Sequence, residues 1–512
     1  MAITITQQPT YPAAAYSDMI YVVSSNSGSR DQFKYVVDIK DEDDNLLTRL
    51  KQSKNPSGYG VFNVGRMLSN YLDYKLPMTI VGTGGNVIIG DDKGVKKFLI
   101  KFGEEWASNP TGSSLVYNGT NDSVGLPSKI GDDSVVYPII VNRDSGDFNF
   151  DPSPYLYNDV TATYWSQVDI EWSLNSNLWG EAFSLATNNS PILSNRPYKT
   201  VSHRKPIAIH EYETVSLLNG VFISSESITA ENIFLNATVK FYDEDGTVIQ
   251  IPRSEVTSSF TDTLWLAQNS TDNTNCGPWG TASATNINYT GATYNSVLGS
   301  LTTPMQLLHI GVGPRNMLTC NKSPLSNSTT YNWSSLILGD EWEYYEVILS
   351  FKETSSTATT GSVSLIYERQ ECQVENSTRF AFINKLGVMD YFTANASGDK
   401  KGSVNRETYD KTYVNYSTTG GTISYNSQNR GTTQYYTELE DSYTAETDWL
   451  TKEQADWITE LFESPLVFIQ DNDQFIPVVI TSNNFDYNIS ERGQKIFRYS
   501  IKYKYSNSKR NI

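Results

Sequence analysis

Strict alternation of large and polar residues predicts a half-buried strand at the end of the chain. In the segment "FRYSIKYKY", every second residue is large: Phe497, Tyr499, Ile501, Tyr503 and Tyr505. The positions between them are polar, and three carry a positive charge: Arg498, Lys502 and Lys504. Successive side chains of a strand point to opposite faces. One face is therefore predicted to be aromatic, and the other to carry a basic stripe, defined as Arg498, Lys502 and Lys504.

The first part of the chain shows the same period. The segment "FKYVVDI", the acidic turn "DEDDN" and the segment "LLTRLK" predict a β-hairpin. In "NVGRMLSNYL", apolar residues recur at helical spacing and Asn63 is placed to cap, which predicts a short amphipathic helix. The segment "TIVGTGGNVIIG" predicts a glycine-centred hairpin, and "KKFLIKFGEEW" a further strand. Residues 1–130 are expected to form a β-sandwich domain with one helix.

The middle of the chain predicts a connecting region and a second sandwich. Residues 131–200 are irregular and rich in Tyr, Trp and Asn, whereas residues 201–375 again contain alternating strands, including "YEVILSF" and "SVSLIY". The segments "VDIKDEDDNLL" and "VKFYDEDGTVI" resemble each other. Two interpretations stay open, related sandwich domains or a common acidic turn.

Residues 376–512 predict an α+β domain. In "LTKEQADWITELFESP", Thr451 and Gln454 have the spacing of a capping box, and Ala455, Ile458 and Leu461 fall on one helical face. The strands "LVFI" and "IPVVIT" precede the closing strand. One helix on a small antiparallel sheet is expected. The predicted fold is mainly β, with several β-sandwich domains and few short helices.

Composition and charge narrow the choice of partners. Aromatic residues make up 12% of the 512 residues, and the net charge is −18. An acidic field repels duplex DNA, so no specific nucleic acid is expected.

Three scattered cysteines predict neither a disulfide framework nor a zinc site. The first residues lack the basic and apolar regions of a secretion signal, and no run approaches the roughly 20 apolar residues that span a bilayer. Cytoplasmic synthesis without membrane insertion is expected.

Motifs for catalysis and cofactor binding are missing from the sequence. There is no G-x-S-x-G, no H-E-x-x-H and no P-loop, and the three histidines are dispersed. The turn "DEDDN" begins like a calcium loop but has Leu46 where glycine is needed, so a solvated turn is preferred. Two carboxylates could still serve a glycosidase. The sequence favours a protein that is not an enzyme and has no metal or cofactor.

Two features indicate binding through surfaces. The long loop around Trp279, Tyr289 and Tyr294 combines aromatic rings with amides, which suits a glycan or a subunit interface; anchoring of the loop on its own sheet is the competing interpretation. The basic stripe is expected to meet an acidic neighbour, such as another copy of this acidic chain.

Four segments resemble virion structural proteins of the tail or neck from tailed phages of Bacteroidota-type hosts, crAss-like phages included. They are "ITITQQPTYPAAAYSDMIYVV", "FKYVVDIKDEDDNLLTRLKQSKNPSGYGVFNVGRMLSNYL", "RFAFINKLGVMDYFTANASGDKKGSVNRETYDK" and "DWLTKEQADWITELFESPLVFIQDNDQFIPVVIT". The resemblance implies a ring or hub protein of the virion, made in the host bacterial cytoplasm, that contacts copies of itself and adjacent virion proteins. The alternative is a tail appendage that binds a receptor or a host surface glycan.

Overall fold

The protein is mainly β, as the sequence predicts. The computed structural model describes residues 3–8, 13–14, 18–41, 44–74, 76, 88–90, 94, 96–107, 115–123, 135–137, 192–198, 204–218, 233–252, 260–261, 264–267, 307–318, 333–353, 359–370, 377–396, 398–411, 414–417, 419–425, 428, 431–482, 496–507 and 510–511. Contacts divide the chain into two compact units. The first contains Met1–Glu371 and Ile383–Tyr391, and the second contains Cys372–Phe382 and Phe392–Ile512. The division into four regions stays a prediction.

Strands of 2 to 11 residues build the first unit. Its strands are β1 (Ile3–Gln7), β2 (Ala13–Ala14), β3 (Ile20–Ser25), β4 (Lys34–Lys40), β5 (Leu46–Ser53), β6 (Gly60–Asn63), β7 (Ile88–Gly90), β8 (Lys96–Lys97), β9 (Leu99–Ala107), β10 (Leu115–Ser123), β11 (Val135–Tyr137), β12 (Arg204–Ile207), β13 (Thr214–Leu218), β14 (Ile233–Tyr242), β15 (Ile251–Pro252), β16 (Phe260–Thr261), β17 (Leu264–Ala267), β18 (Leu307–Gly311), β19 (Tyr344–Glu353) and β20 (Thr359–Arg369). Its helices are α1 (Gly65–Ser69), α2 (Pro314–Met317) and α3 (Trp333–Leu338), with a 3₁₀ turn at Arg196–Tyr198.

The first two sheets close around one hydrophobic core. The antiparallel sheets β1-β3-β6 and β10-β9-β4-β5 contribute buried residues that include Tyr21, Tyr35 and Phe102. Helix α1 adds Leu68 to this core, but it is shorter than predicted, and its N-cap position is Val64. The Asn63 side chain still accepts a hydrogen bond from the Gly65 N–H at 3.2 Å. The predicted hairpin β4–β5 and the strand β9 are confirmed.

Further sheets follow in the first unit. Five strands pair in the order β12-β20-β19-β14-β17, and three pair in the order β13-β18-β7. The predicted strands "YEVILSF" and "SVSLIY" lie in β19 and β20. Buried aromatic side chains pack on the five-stranded sheet. The rings of Tyr345 and Tyr367 stack there, with their centroids 5.0 Å apart. Only the end of the predicted glycine-centred hairpin is among the described residues, and it forms β7, which pairs with β18.

The second unit is built on one large sheet. Its elements are β21 (Thr378–Ile383), β22 (Met389–Ala394), β23 (Gly398–Asp410), β24 (Val414–Tyr416), β25 (Ile423–Tyr425), β26 (Thr432–Glu446), β27 (Leu450–Thr451), α4 (Lys452–Glu463), β28 (Val467–Asp471), β29 (Gln474–Ile480), β30 (Ile496–Phe497), β31 (Ser500–Tyr505) and β32 (Arg510–Asn511). The residues around the β21–β22 turn belong to the first unit. Among the described residues, the sheet has eight strands in the order β22-β21-β28-β29-β31-β26-β23, with β32 also paired to β26.

Helix α4 begins and packs as its sequence predicts. The Thr451 hydroxyl accepts from the Gln454 N–H, and the Gln454 side chain accepts from the Thr451 N–H, which completes the capping box. Trp457 lies against Phe382 at 5.8 Å between ring centroids. The helix on an antiparallel sheet is thus confirmed. The sheet is larger than predicted because it also contains β23 and β26. Both strands are polar on both faces, so they lack the alternation that marks a half-buried strand and were not predicted from the sequence.

The closing strand is interrupted. Ile496–Phe497 pairs with Leu450–Thr451, whereas Ser500–Tyr505 lies between β29 and β26. Tyr499, Ile501 and Tyr503 are buried, as predicted for the aromatic face, whereas Phe497 and Tyr505 are half-buried. In the part of the chain that the structure describes, no helix has the length and apolar character of a membrane span.

Candidate functional site

A long two-stranded ribbon in the second unit is exposed along most of its length. We define the ribbon as β23 and β26, whose antiparallel pairing runs from Gly398 opposite Ala445 to Asp410 opposite Thr432. Every residue of β23 after Gly398 is exposed, and most of β26 is exposed or half-buried. Strand β23 lies at the edge of the sheet. The ribbon therefore offers both of its faces to a partner.

Polar side chains contact each other across the two strands of the ribbon. Lys400 Nζ lies 2.8 Å from the Asp441 carboxylate, and this contact raises the pKa of Lys400. The Tyr435 hydroxyl donates to the Glu407 carboxylate, which raises the pKa of that tyrosine. Exposed pairs of this kind add little net stability. The ribbon is thus ordered by its backbone ladder more than by a core of its own.

Large apolar side chains are exposed along the ribbon and its connection. Tyr435 and Ile423 are each 63% exposed, Tyr409 is 47% exposed and Val404 is 41% exposed. The rings of Tyr409 and Tyr435 meet edge to face, with centroids 5.9 Å apart. Exposed tyrosines on a rigid backbone are typical of protein interfaces, since they cover much area at small cost in side-chain entropy. Sequence patterns missed these residues because no alternation singled them out.

The basic stripe is largely paired within this chain. Arg498 lies 2.6 Å from the Glu446 carboxylate, and Lys504 lies 2.9 Å from that of Glu440. Both carboxylates belong to β26, the strand beside β31. Strand β26 thus supplies an acidic neighbour for Arg498 and Lys504 within this chain, and contact of the basic stripe with another copy stays a prediction. Lys502 has an exposed side chain, and its backbone N–H donates to Ser482.

A second feature, in the first unit, is a buried polar cluster. Lys205 Nζ lies 2.7 Å from Glu213 Oε1 and 2.5 Å from Asn195 Oδ1, and all three residues are buried. The Asn195 backbone N–H donates to Asp390, and the Asn195 side-chain amide donates to the Tyr367 hydroxyl. One signal was present in the sequence: in "RKPI", Lys205 shares the inward face of β12 with Ile207. The partners of Lys205 come from other elements, so their meeting was not predictable.

A serine and a histidine also meet in the first unit. Ser216 Oγ lies 2.8 Å from His309 Nδ1, across the neighbouring strands β13 and β18. A serine hydrolase needs such a pair at a surface that substrate reaches. Both side chains are fully buried, so the contact serves as a hydrogen bond of the core.

The predicted glycan or interface residues Trp279, Tyr289 and Tyr294 lie outside the described residues. Across the described ranges, no three His, Cys, Asp or Glu side chains are placed to hold a metal ion. At the turn "DEDDN", the Asp44 carboxylate contacts Lys101 and Lys40, which lowers its pKa. Asp41 Oδ1 accepts a hydrogen bond from the Asn45 N–H at 2.8 Å.

Comparisons with known proteins identify no family for this chain. No family model matches it, and no curated protein matches it. Among solved structures, one match is the native conformation of alpha-2-macroglobulin from E. coli. Its sequence identity to this chain is 7%, and the TM-score is 0.12. The match covers 92% of this chain and 30% of that chain. A TM-score this low gives no evidence about the fold or the function of this chain.

Proposed function

We propose that the chain is a non-enzymatic structural component of a tailed-phage virion. In this role it builds a ring or hub of the tail or neck through contacts with copies of itself and with adjacent virion proteins. The observation that carries the proposal is the ribbon, an extended arm with large apolar side chains in water. The resemblance of four sequence segments to phage tail and neck proteins supplies the setting.

Physical chemistry favours a covered ribbon. Beyond the pairing of β26 with β31 and β32, the outer part of the ribbon is a two-stranded hairpin that buries little apolar surface, and such a hairpin is marginally stable alone. Lys400 and Lys401 lie on β23, the edge strand of the sheet. Their charges oppose unselective pairing of this edge with strands of other proteins. A partner is therefore expected to dock on the side chains of the ribbon, with Tyr409 and Tyr435 at the centre of the contact.

Self-association of the purified full chain tests the ribbon as the interface. We expect sedimentation velocity to show oligomers of the parent, and a shift toward the monomer when Tyr409 and Tyr435 are both replaced by Ala. The matched control is Tyr435→Phe, which keeps the ring and removes the hydroxyl contact to Glu407. The near-ultraviolet circular dichroism of each variant verifies that the second unit is folded. Unchanged oligomers in the double variant would remove the ribbon from the interface.

The virion assignment needs a separate measurement. Antibodies against this chain should label one defined site on purified phage particles in electron micrographs, and the chain should occur there in a fixed copy number. Its absence from purified particles would overturn the virion assignment, whatever the oligomeric state of the isolated protein.

A further inference from the structure

Three reactive groups are held together inside the first unit. Lys205 carries an amine, Asn195 a carboxamide and Glu213 a carboxylate, and the amine nitrogen lies within 2.7 Å of an oxygen of each of the other two groups. Asn195 and Glu213 are 0% exposed and Lys205 is 3% exposed. These groups are thus shielded from bulk solvent.

The surrounding elements fix the orientation of each group. Asn195 has a left-handed backbone conformation, with φ of 55°, and its N–H donates to Asp390 at 2.7 Å. Its side-chain Nδ2 donates to the Tyr367 hydroxyl at 3.3 Å, so Oδ1 is turned toward Lys205. The Glu213 backbone N–H donates to Asn316 at 2.9 Å. The amine and the amide therefore have little freedom to separate.

We propose that Lys205 and Asn195 become joined by an intramolecular isopeptide bond, with Glu213 carrying the protons. Lys205 Nζ passes a proton to Glu213 Oε1 and attacks Asn195 Cγ, the carbon bonded to the oxygen that it already contacts. A bond forms between Nζ and Cγ, and the bond between Cγ and Nδ2 breaks. Glu213 returns this proton to Nδ2, which leaves as ammonia, and then accepts a second proton from Nζ, so that Nζ ends as an amide N–H and Glu213 as a neutral acid. No oxidation or reduction occurs, and no cofactor is needed.

The reaction also neutralises both buried charges, the ammonium of Lys205 and the carboxylate of Glu213. The lysine ammonium carries three protons: one remains on the new amide nitrogen, one leaves with ammonia and one stays on Glu213. A buried cation and a buried carboxylate become a neutral amide and a neutral acid, which relieves the cost of keeping charges out of water. Holding the reacting atoms at about 3 to 3.5 Å in a fixed orientation replaces a slow bimolecular reaction with a rapid intramolecular one.

The mass of the intact chain tests this inference directly. After allowance for removal of Met1, we expect the purified, folded and then denatured chain to be lighter than its sequence by the mass of one ammonia molecule. A protease digest should contain one linked pair of peptides, one carrying Asn195 and the other Lys205. A folded parent chain at its sequence mass, with these two peptides separate, overturns the proposal without recourse to any variant.

Two variants assign the roles of the residues. Lys205→Met should restore the sequence mass, whereas an ammonia loss that persists there would come from cyclisation of another Asn and would count against the bond. Glu213→Gln keeps the size of the side chain and removes the proton acceptor, so the linked peptides should be lost. Linked peptides in a Glu213→Gln chain would overturn the role of Glu213. Circular dichroism establishes that each variant is folded.

Discussion

At the scale of single residues, four turns share one geometry. In each, an Asx side chain accepts a hydrogen bond from the N–H four residues later, and the fourth residue has positive φ: Asp41–Asn45, Asn55–Tyr59, Asp243–Thr247 and Asn384–Val388. Two of these turns are the "DED" segments that resemble each other in sequence. Since the other two have the same geometry without that sequence, the similarity reflects turn chemistry and gives no support for related domains.

The positive φ in these turns predicts a cost for any side chain there. Gly58 has φ of 89° and open space around it, so Gly58→Ala introduces backbone strain without a clash. We expect a loss of about 1 kcal/mol in the free energy of unfolding of the first unit. Denaturant titration measures it, with Ser57→Ala as the control on the neighbouring exposed residue. Equal stability of the two variants would contradict this account of the turn.

A buried tyrosine predicts sensitivity to alkali. Burial raises the pKa of Tyr503 from 10.0 to about 12. Between these values the unfolded chain loses the phenol proton while the folded chain keeps it, so the free energy of unfolding falls as pH rises through this window. Tyr503→Phe cannot ionise, and its second unit should lose less stability than the parent between pH 10 and 12. Unfolding followed by circular dichroism across this window provides the measurement, and an equal loss in both chains would refute it.

At the scale of elements, structure set by residues close in sequence could be predicted, whereas contacts between distant residues could not. The capping box of α4 and the period of β31 involve residues close in sequence, so they could be predicted. The ribbon could not, because neither of its faces is apolar. The buried polar cluster depends on contacts such as Asn195 with Asp390, which are 195 residues apart in the chain. No local pattern encodes a contact of that kind.

The closing strand is predicted to be essential to the second unit. Truncation after Glu491 removes β31 from between β29 and β26, together with the buried Tyr499, Ile501 and Tyr503. Each buried large side chain contributes about 1.5 to 3 kcal/mol, so their sum rivals the stability of a whole domain. We expect loss of near-ultraviolet circular dichroism and rapid proteolysis of the second unit.

Truncation after Asn507 serves as the control for that experiment. It removes only β32, which pairs with the outer part of β26, and keeps β31. The second unit should then remain folded. If the longer truncation is equally resistant to protease, the closing strand is not part of the core.

At the scale of the whole molecule, charge governs how copies of the chain approach one another. The net charge of −18 makes identical chains repel at long range, so association needs local cations that offset it. Arg498 and Lys504 neutralise carboxylates of their own chain. Lys502 is exposed beside them, which makes it the member of the basic stripe best placed to meet an acidic surface of another copy.

Charge reversal at Lys502 tests this role. Lys502→Glu leaves the aromatic face of β31 untouched, so the fold should be retained, while an attraction to an acidic partner becomes a repulsion. We expect weaker self-association, most strongly at low salt, because salt screens exposed charges beyond about 10 Å at 0.1 M. Lys504→Glu is the contrasting variant: it places a carboxylate beside Glu440 within the sheet, so it should lower the unfolding midpoint as well. Sedimentation at two salt concentrations separates these effects, and oligomers of Lys502→Glu that match the parent at low salt would mean that Lys502 contacts only solvent.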